Sequence, residues 1–280
     1  MDRRFRLAAA SAIAVLWMIG LGFIRPVLSL PDISALDRII SGDSEIPVRN
    51  LAGNLIYTYH SPTYGEQEKV DLNGISDELI ALTISTEDNR FFSNPGFSPA
   101  AILRAFIQNL ILRRTFSGAS TITQQVVRNI LLSPEERFER SIGRKVKEIL
   151  LAALMTQHYD KETILTVYLN EMYYGQNATG VEKAAQIYFG KHASEIGLSE
   201  AAFIAGLPQA PNYYGYNKNA GQNRQREVLR MLERAIREDR CIQISSGEDP
   251  KTFCPSHEEI RGSFPPPLTE EDRNDQPGIP

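Results

Sequence analysis

Thiol is scarce in this sequence: its two cysteines, Cys241 and Cys254, stand close together in a polar, acidic stretch. A zinc site built on them would need two more ligands, and only His257 is near. Outside the cytoplasm the pair would instead close a local disulfide. No serine is followed three positions later by lysine, so a Ser-x-x-Lys acyl-transfer nucleophile is missing. No internal repeat stands out, and strand-like alternation is confined to a short segment after Gly53–Asn54, where Leu55, Tyr57 and Tyr59 alternate with Ile56, Thr58 and His60. Charge of one sign is also missing overall, with a formal net charge of −4. The balance is local: residues 101–150 hold nine Lys/Arg against four acids, while 238–275 hold ten acids against four bases. A basic middle in an acidic chain points to a localised anionic ligand and away from a nucleic-acid surface spread over the fold.

The chain does have one long apolar run. Leu7–Ile24 is uncharged over 18 residues, follows Arg3, Arg4 and Arg6, and precedes Arg25 and Pro26. At 1.5 Å per residue it just spans a bilayer core of about 30 Å. We read residues 1–27 as a cytoplasmic tip and uncleaved signal anchor, the arginines keeping the N-terminus inside and placing 26–280 outside. A connector with one short strand follows over 28–74, then a mainly helical domain over 75–240, then an acidic, Pro-rich linker or tail over 241–280. Apolar spacing predicts helices near 76–88, 100–113, 120–132, 138–159, 161–170, 180–188, 199–206 and 220–238. The segment 99–114, apolar around most of its circumference and closed by Arg113 and Arg114, is either a buried core helix or one that dips into the outer leaflet.

Three stretches carry candidate chemistry. In GASTITQQVVRN, Gly118 permits an unusual turn, Ser120 can cap a helix, and the first-turn N–H groups with Thr121 and Thr123 make an anion cradle. Gln124 and Arg128 share one face of that helix, Gln125 and Asn129 the adjacent one. In TEDNRFFSNPG, Glu87 and Asp88 end an apolar helix beside Phe91 and Phe92, and a carboxylate against aromatic surface suits a general acid or base. In FERSIGRKVKEILLAALMTQHY, Arg140, Arg144 and Glu148 align at four-residue steps and Lys145 also neighbours Glu148. Ile142, Val146, Ile149, Leu150 and Ala153 read as that helix's core stripe.

Together with KETILTVYLN (161–170), these motifs resemble, in order and approximate spacing, the peptidoglycan glycosyltransferases, glycosyltransferase family 51, from about Ser76 to Met231. The resemblance implies a lysozyme-like fold with a small membrane-apposed subdomain, acting on lipid II and the growing glycan strand at the cytoplasmic membrane. It implies that Glu87 deprotonates the acceptor 4-hydroxyl, that Glu148 is the second glutamate, and that Arg128, Arg144 and Lys145 hold the leaving pyrophosphate. Ser120, Thr121, Gln125 and Asn129 would line the donor pocket, with Asp88, Phe91, Asn94, Gly118 and Gln124 beside them. Inversion at the donor carbon would give a β-1,4 link and release undecaprenyl pyrophosphate. No cofactor is implied beyond an occasional Mg²⁺ or Mn²⁺ at the pyrophosphate, and no dedicated carboxylate cage is visible. Cell-wall synthesis proteins are the implied partners, and nucleic acid is not.

Departures from the family pattern are Asn94 in place of histidine, Arg128 in place of lysine, and Gln225 after Arg224 in place of a second arginine. The connector NLAGNLIYTYH looks like that of the bifunctional class A penicillin-binding proteins. A stand-alone polymerase, a truncated bifunctional relative, a lipid II-binding scaffold and a muramidase are the readings to separate.

Overall fold

The computed structural model describes residues 29–61, 69–100, 102, 120–139, 141–237, 240–247 and 249–265. The expected anchor, nearly all of the apolar segment 99–114, Gly118, Arg140 and the chain after 265 lie outside the described residues. Among the described residues no helix is long and apolar enough to cross a membrane.

The first unit is a short helix, α1 (Ala35–Ile40), followed by an antiparallel hairpin of β1 (Glu45–Arg49) and β2 (Leu55–His60). Its turn closes because the Asn50 side chain accepts from the N–H groups of Ala52 and Asn54, and Gly53 takes a φ of 84°. The strand expected from Leu55 is present. Its partner β1 was not legible, since EIPVR carries a proline and two charges. Two tyrosines of β2 fasten the hairpin to the helical body: Tyr57 donates to the Ile130 carbonyl, and Tyr59 donates to Glu171 at 2.9 Å. The Arg137 guanidinium lies 5.7 and 5.8 Å from these two rings.

The body is mainly helical. At its centre is α2 (Asp77–Glu87), capped by Ser76 with Asp77 and Glu78 in the first turn, where acids suit the helix dipole. Seven consecutive residues, Leu79 to Ser85, are buried, so α2 has no solvent face; α8 (Leu198–Gly206) and α10 (Lys218–Arg237) pack against it. α3 (Ile122–Ile130) contacts both α5 (Ile142–His158) and α6 (Lys161–Glu171). α7 (Val181–Phe189) and α9 (Pro211–Tyr216) complete the periphery. The helix expected over 138–159 is α5, begun at the Ser141 cap, and a short unforeseen helix, α4 (Pro134–Phe138), capped by Ser133, precedes it.

Two expectations are corrected. Most of the core stripe assigned to α5 faces outward: Ile142 is 85% exposed and Val146 and Leu150 are each 49% exposed, Ile149 and Ala153 are half-buried, and the residues α5 buries are Glu148, Leu151, Ala152 and Met155. Apolar periodicity located a stripe correctly but not what covers it. The linker or tail expected from 241 onward begins as folded structure. Cys241 and Cys254 form a disulfide that closes the ladder of β3 (Ile242–Gln243) with β4 (Thr252–Phe253), followed by α11 (His257–Gly262). Ile242, Ile244 and Ile260 enter the core, and Lys251 pairs with Asp77 at 2.6 Å. Three apolar anchors in an acidic stretch suffice once a disulfide shortens the loop between them.

Candidate active site

Glu87 sits in the last turn of α2, where no basic residue accompanies it and the helix's unpaired carbonyls disfavour a negative charge. Burial pushes its carboxyl above the usual carboxylate range. The Gln125 amide, donating at 2.7 Å, and the charges of Arg224 and Arg128 pull the other way, and the Asp88 charge adds to the rise. The result is a carboxyl moved toward the pH at which a general base operates.

Asp88, Phe91 and Asn94 form the buttress behind Glu87. The Asn94 amide nitrogen donates to both Asp88 oxygens at 2.9 Å, and the Asn94 carbonyl oxygen accepts from Gly96 N–H at 2.9 Å and Lys161 Nζ at 3.1 Å. Asp88 also accepts from the Ile122 N–H at the start of α3. Phe91 is fully buried, with Lys161 Nζ 4.6 Å from its ring centre. Burial raises the Asp88 pKa against these hydrogen bonds and the Lys161 charge. These three candidates therefore order the loop, and their side chains engage protein groups. Gly96 explains the loop's exact course: at a φ of 90°, an added Cβ would stand 2.2 Å from the Ala152 carbonyl oxygen of α5.

Lys161 was not among the expected site residues. Burial lowers its pKa to about 8, with the Asp88 charge opposing. Its folded value lies below the unfolded value of about 10.4, so between them the unfolded chain binds more protons and stability rises with pH. Solvent screening keeps the full rise below the roughly 3 kcal/mol that an unscreened shift of this size would give. We expect thermal melts to show stability increasing from about pH 8 toward pH 10, and Lys161→Met to flatten that increase.

Glu148 is the second centre. Its side chain is 0% exposed, although it lies on the helix with the outward apolar stripe. It pairs with Arg144 on its own helix, with Lys145 at 3.2 Å and with Arg128 of α3 at 3.7 Å. Burial lowers the Lys145 pKa, Glu148 opposes this, and Arg128 and Arg144 add to it. Lys145 Nζ also donates to Ser120 Oγ at 2.9 Å. Ser120 is thus a hydrogen-bond partner of the cluster, and the N-cap is Thr121: its hydroxyl accepts from Gln124 N–H while the Gln124 carbonyl oxygen accepts from Thr121 N–H. Thr121 also donates to the Gly96 carbonyl at 2.6 Å, and Thr123 is fully buried. Thr121 and Gln124 hence shape α3's start and do not present the donor face expected of them.

The two centres meet on α3. Gln125 bonds Glu87 and Arg128 pairs with Glu148, and residues three apart lie side by side on a helix. Asn129, one position further, donates to the Met172 sulfur at 2.8 Å. Arg224 enters from α10, held by the Gly206 carbonyl and Glu227. Its neighbour Gln225 is buried and donates to the Ser199 carbonyl at 2.7 Å, a packing role. Tyr168 and Tyr174, also unforeseen, are fully buried; burial raises both phenol pKa values, and the Glu87 charge adds to the rise.

Residues 52–233 match the family model described as Transglycosylase. Penicillin-binding protein 1A of Aquifex aeolicus is 43% identical over 176 residues, covering 61% of this chain and 24% of that one. Penicillin-binding protein 1A of Escherichia coli is 40% identical over 218 residues, covering 75% and 24% respectively. The chain thus spans about a quarter of the length of these curated relatives. The crystal structure of penicillin-binding protein 1A from Haemophilus influenzae covers 78% of this chain at 23% identity with a TM-score of 0.38, and the family assignment does not rest on it. On the extent of the family match and the level of identity, the chain belongs to the transglycosylase family, the peptidoglycan glycosyltransferase domain of class A penicillin-binding proteins.

Proposed function

We propose that this chain polymerises lipid II into β-1,4-linked glycan at the outer face of the cytoplasmic membrane. The observation that carries the reading is the junction on α3 of a carboxyl with a raised pKa and a buried carboxylate that gathers three cations. Glu87 takes the proton of the acceptor 4-hydroxyl as that oxygen attacks the donor anomeric carbon. The bond from that carbon to the pyrophosphate oxygen breaks on the opposite face, with inversion, and the electron pair leaves on undecaprenyl pyrophosphate. Arg128, Arg144 and Lys145, aligned by Glu148, meet the charge growing on the leaving oxygens. Among the described residues, a divalent cation at that position would find one carboxylate, already held by three cations.

Membrane apposition is supported by Phe138, Ile142, Val146, Leu150 and Leu154, exposed apolar residues at four-residue steps on α4 and α5. Such a stripe on the cationic helix suits the boundary between headgroups and acyl chains. Polymerisation of labelled lipid II, read as ladders on a gel, tests the reading, and a chain that makes no ladder sinks it. Ile142→Lys with Val146→Lys is expected to leave ladder formation in detergent intact and to cut it about tenfold on vesicles, each lost apolar side chain weakening membrane contact.

A further inference from the structure

Resting on the assignment of Glu87 as base, we propose that Lys161 is a positioning residue for it. Through the Asn94 amide, Lys161 holds Asp88 against the first turn of α3 and so sets how α3 stands relative to the end of α2.

Lys161 occupies an unfavourable place for a cation. It is the first residue of α6, after the Asp160 cap, where the helix dipole opposes positive charge, and it is 9% exposed. Lysine is almost never buried to this degree unless a partner holds its ammonium. Here the ammonium donates to the Asn94 carbonyl oxygen at 3.1 Å and lies 4.6 Å from the centre of the Phe91 ring. Both partners belong to the loop 88–96 that follows α2, so a helix distant in sequence reaches across to hold it.

What the lysine fixes is the direction of an amide. The Asn94 side chain can turn either its oxygen or its nitrogen toward a neighbour. Two donors, the Gly96 N–H at 2.9 Å and Lys161 Nζ, converge on one end, so that end is the oxygen. The nitrogen then faces Asp88 and donates to both of its oxygens at 2.9 Å. Asp88 in turn accepts from the Ile122 N–H, the first of α3, at 3.3 Å. Burial raises the Asp88 pKa, and the Asn94 and Ile122 bonds and the Lys161 charge oppose it, which favours the ionised acceptor this arrangement needs.

This run of bonds ends where the two centres are joined. Glu87 immediately precedes Asp88, and α3 carries both Gln125, bonded to Glu87 at 2.7 Å, and Arg128, paired with Glu148 at 3.7 Å. A shift of α3 at Ile122 would alter the place of the base and of the cations together. Removing the lysine leaves Asn94 with the Gly96 donor alone, and nothing then prevents the amide from turning its oxygen toward the Asp88 carboxylate.

The test uses Lys161→Met, Lys161→Arg, Asn94→Ala and the double variant of Lys161→Met with Asn94→Ala, each as the full chain in detergent. Lipid II polymerisation is read as kcat and KM, and backbone hydrogen exchange is read at the Ile122 amide. Lys161→Met is expected to lower kcat on the order of 10²-fold with KM within about twofold, the effect of misplacing a catalytic group by about an ångström. Exchange at Ile122 should quicken about tenfold while the melting temperature at neutral pH holds. Lys161→Arg keeps a cationic donor and should lie closer to the parent in both readouts. The double variant should match Asn94→Ala, because the lysine acts through that amide. An unchanged kcat, losses that multiply in the double variant, or an unmoved Ile122 exchange rate overturns the proposal. So does a fall in melting temperature with exchange at Ile122 no faster than elsewhere in α3, which is the signature of packing alone. Exchange at Ile122 reads the lysine even if the parent makes no glycan, so failure of the polymerase reading is told apart from failure of this one.

Discussion

Glu87→Gln is expected to lower lipid II polymerisation by about 10³-fold while leaving the protein as stable as the parent or more so. The activity loss follows because an amide cannot accept the acceptor's proton. The stability sign follows from linkage. The folded pKa of Glu87 is raised by burial, so the folded state holds its proton more tightly than the unfolded chain. Stability is then lost as pH rises through the window above the unfolded value, and at neutral pH the ionised side chain weighs against the fold. Glutamine keeps an oxygen to accept from Gln125 and removes that charge. Calorimetry beside the ladder assay checks both halves, and a variant that unfolds well below the parent would mean Glu87 holds the structure together.

The opposite sign is expected at Glu148. Its carboxylate has no exposure and is the common partner of Arg128, Arg144 and Lys145. Glu148→Gln leaves three cations close together without their counter-charge, and breaking a buried pair costs about 3–5 kcal/mol. For a domain of this size that lowers the melting temperature by roughly 10 °C. Polymerisation falls too, because mutual repulsion spreads the groups that should converge on the pyrophosphate. Calorimetry in parallel with Glu87→Gln is the direct comparison: two glutamates, each thought essential to activity, moving stability in opposite directions. Equal and small stability changes would mean the cluster around Glu148 is loosely solvated.

How far the site was legible depends on the range of the interaction. Glu148 with Arg144 and Lys145 lies within one turn of one helix, so sequence spacing alone brings them together. The resemblance to known motifs singled out Glu87, Gln125 and Arg128, and α3 joins them as a unit. Other candidates changed role. Thr121 and Gln124 read as ligand donors and turn out to cap their own helix, since a capping box uses the same residue types as an anion cradle. Asn94 read as a departure at a substrate-facing position and is instead the hinge of the Asp88–Lys161 network. Lys161 escaped notice because its partners, Asn94 and Asp88, lie far from it in the sequence and leave no local pattern.

The sequence by itself determined a mainly helical chain, the spacing of its helices, the turn at Gly53–Asn54, the local cationic cluster and the family to which these motifs belong. Each of these depends on contacts within a few residues or on a linear pattern. Tertiary structure alone decided that α5 buries its glutamate and exposes much of its apolar stripe, that the acidic stretch after Arg240 packs on α10, and that Glu87 meets the Gln125 amide and the charges of two arginines. Burial and charge environment are set by whichever distant helix arrives at a face, and a helix's own periodicity says only that the face exists.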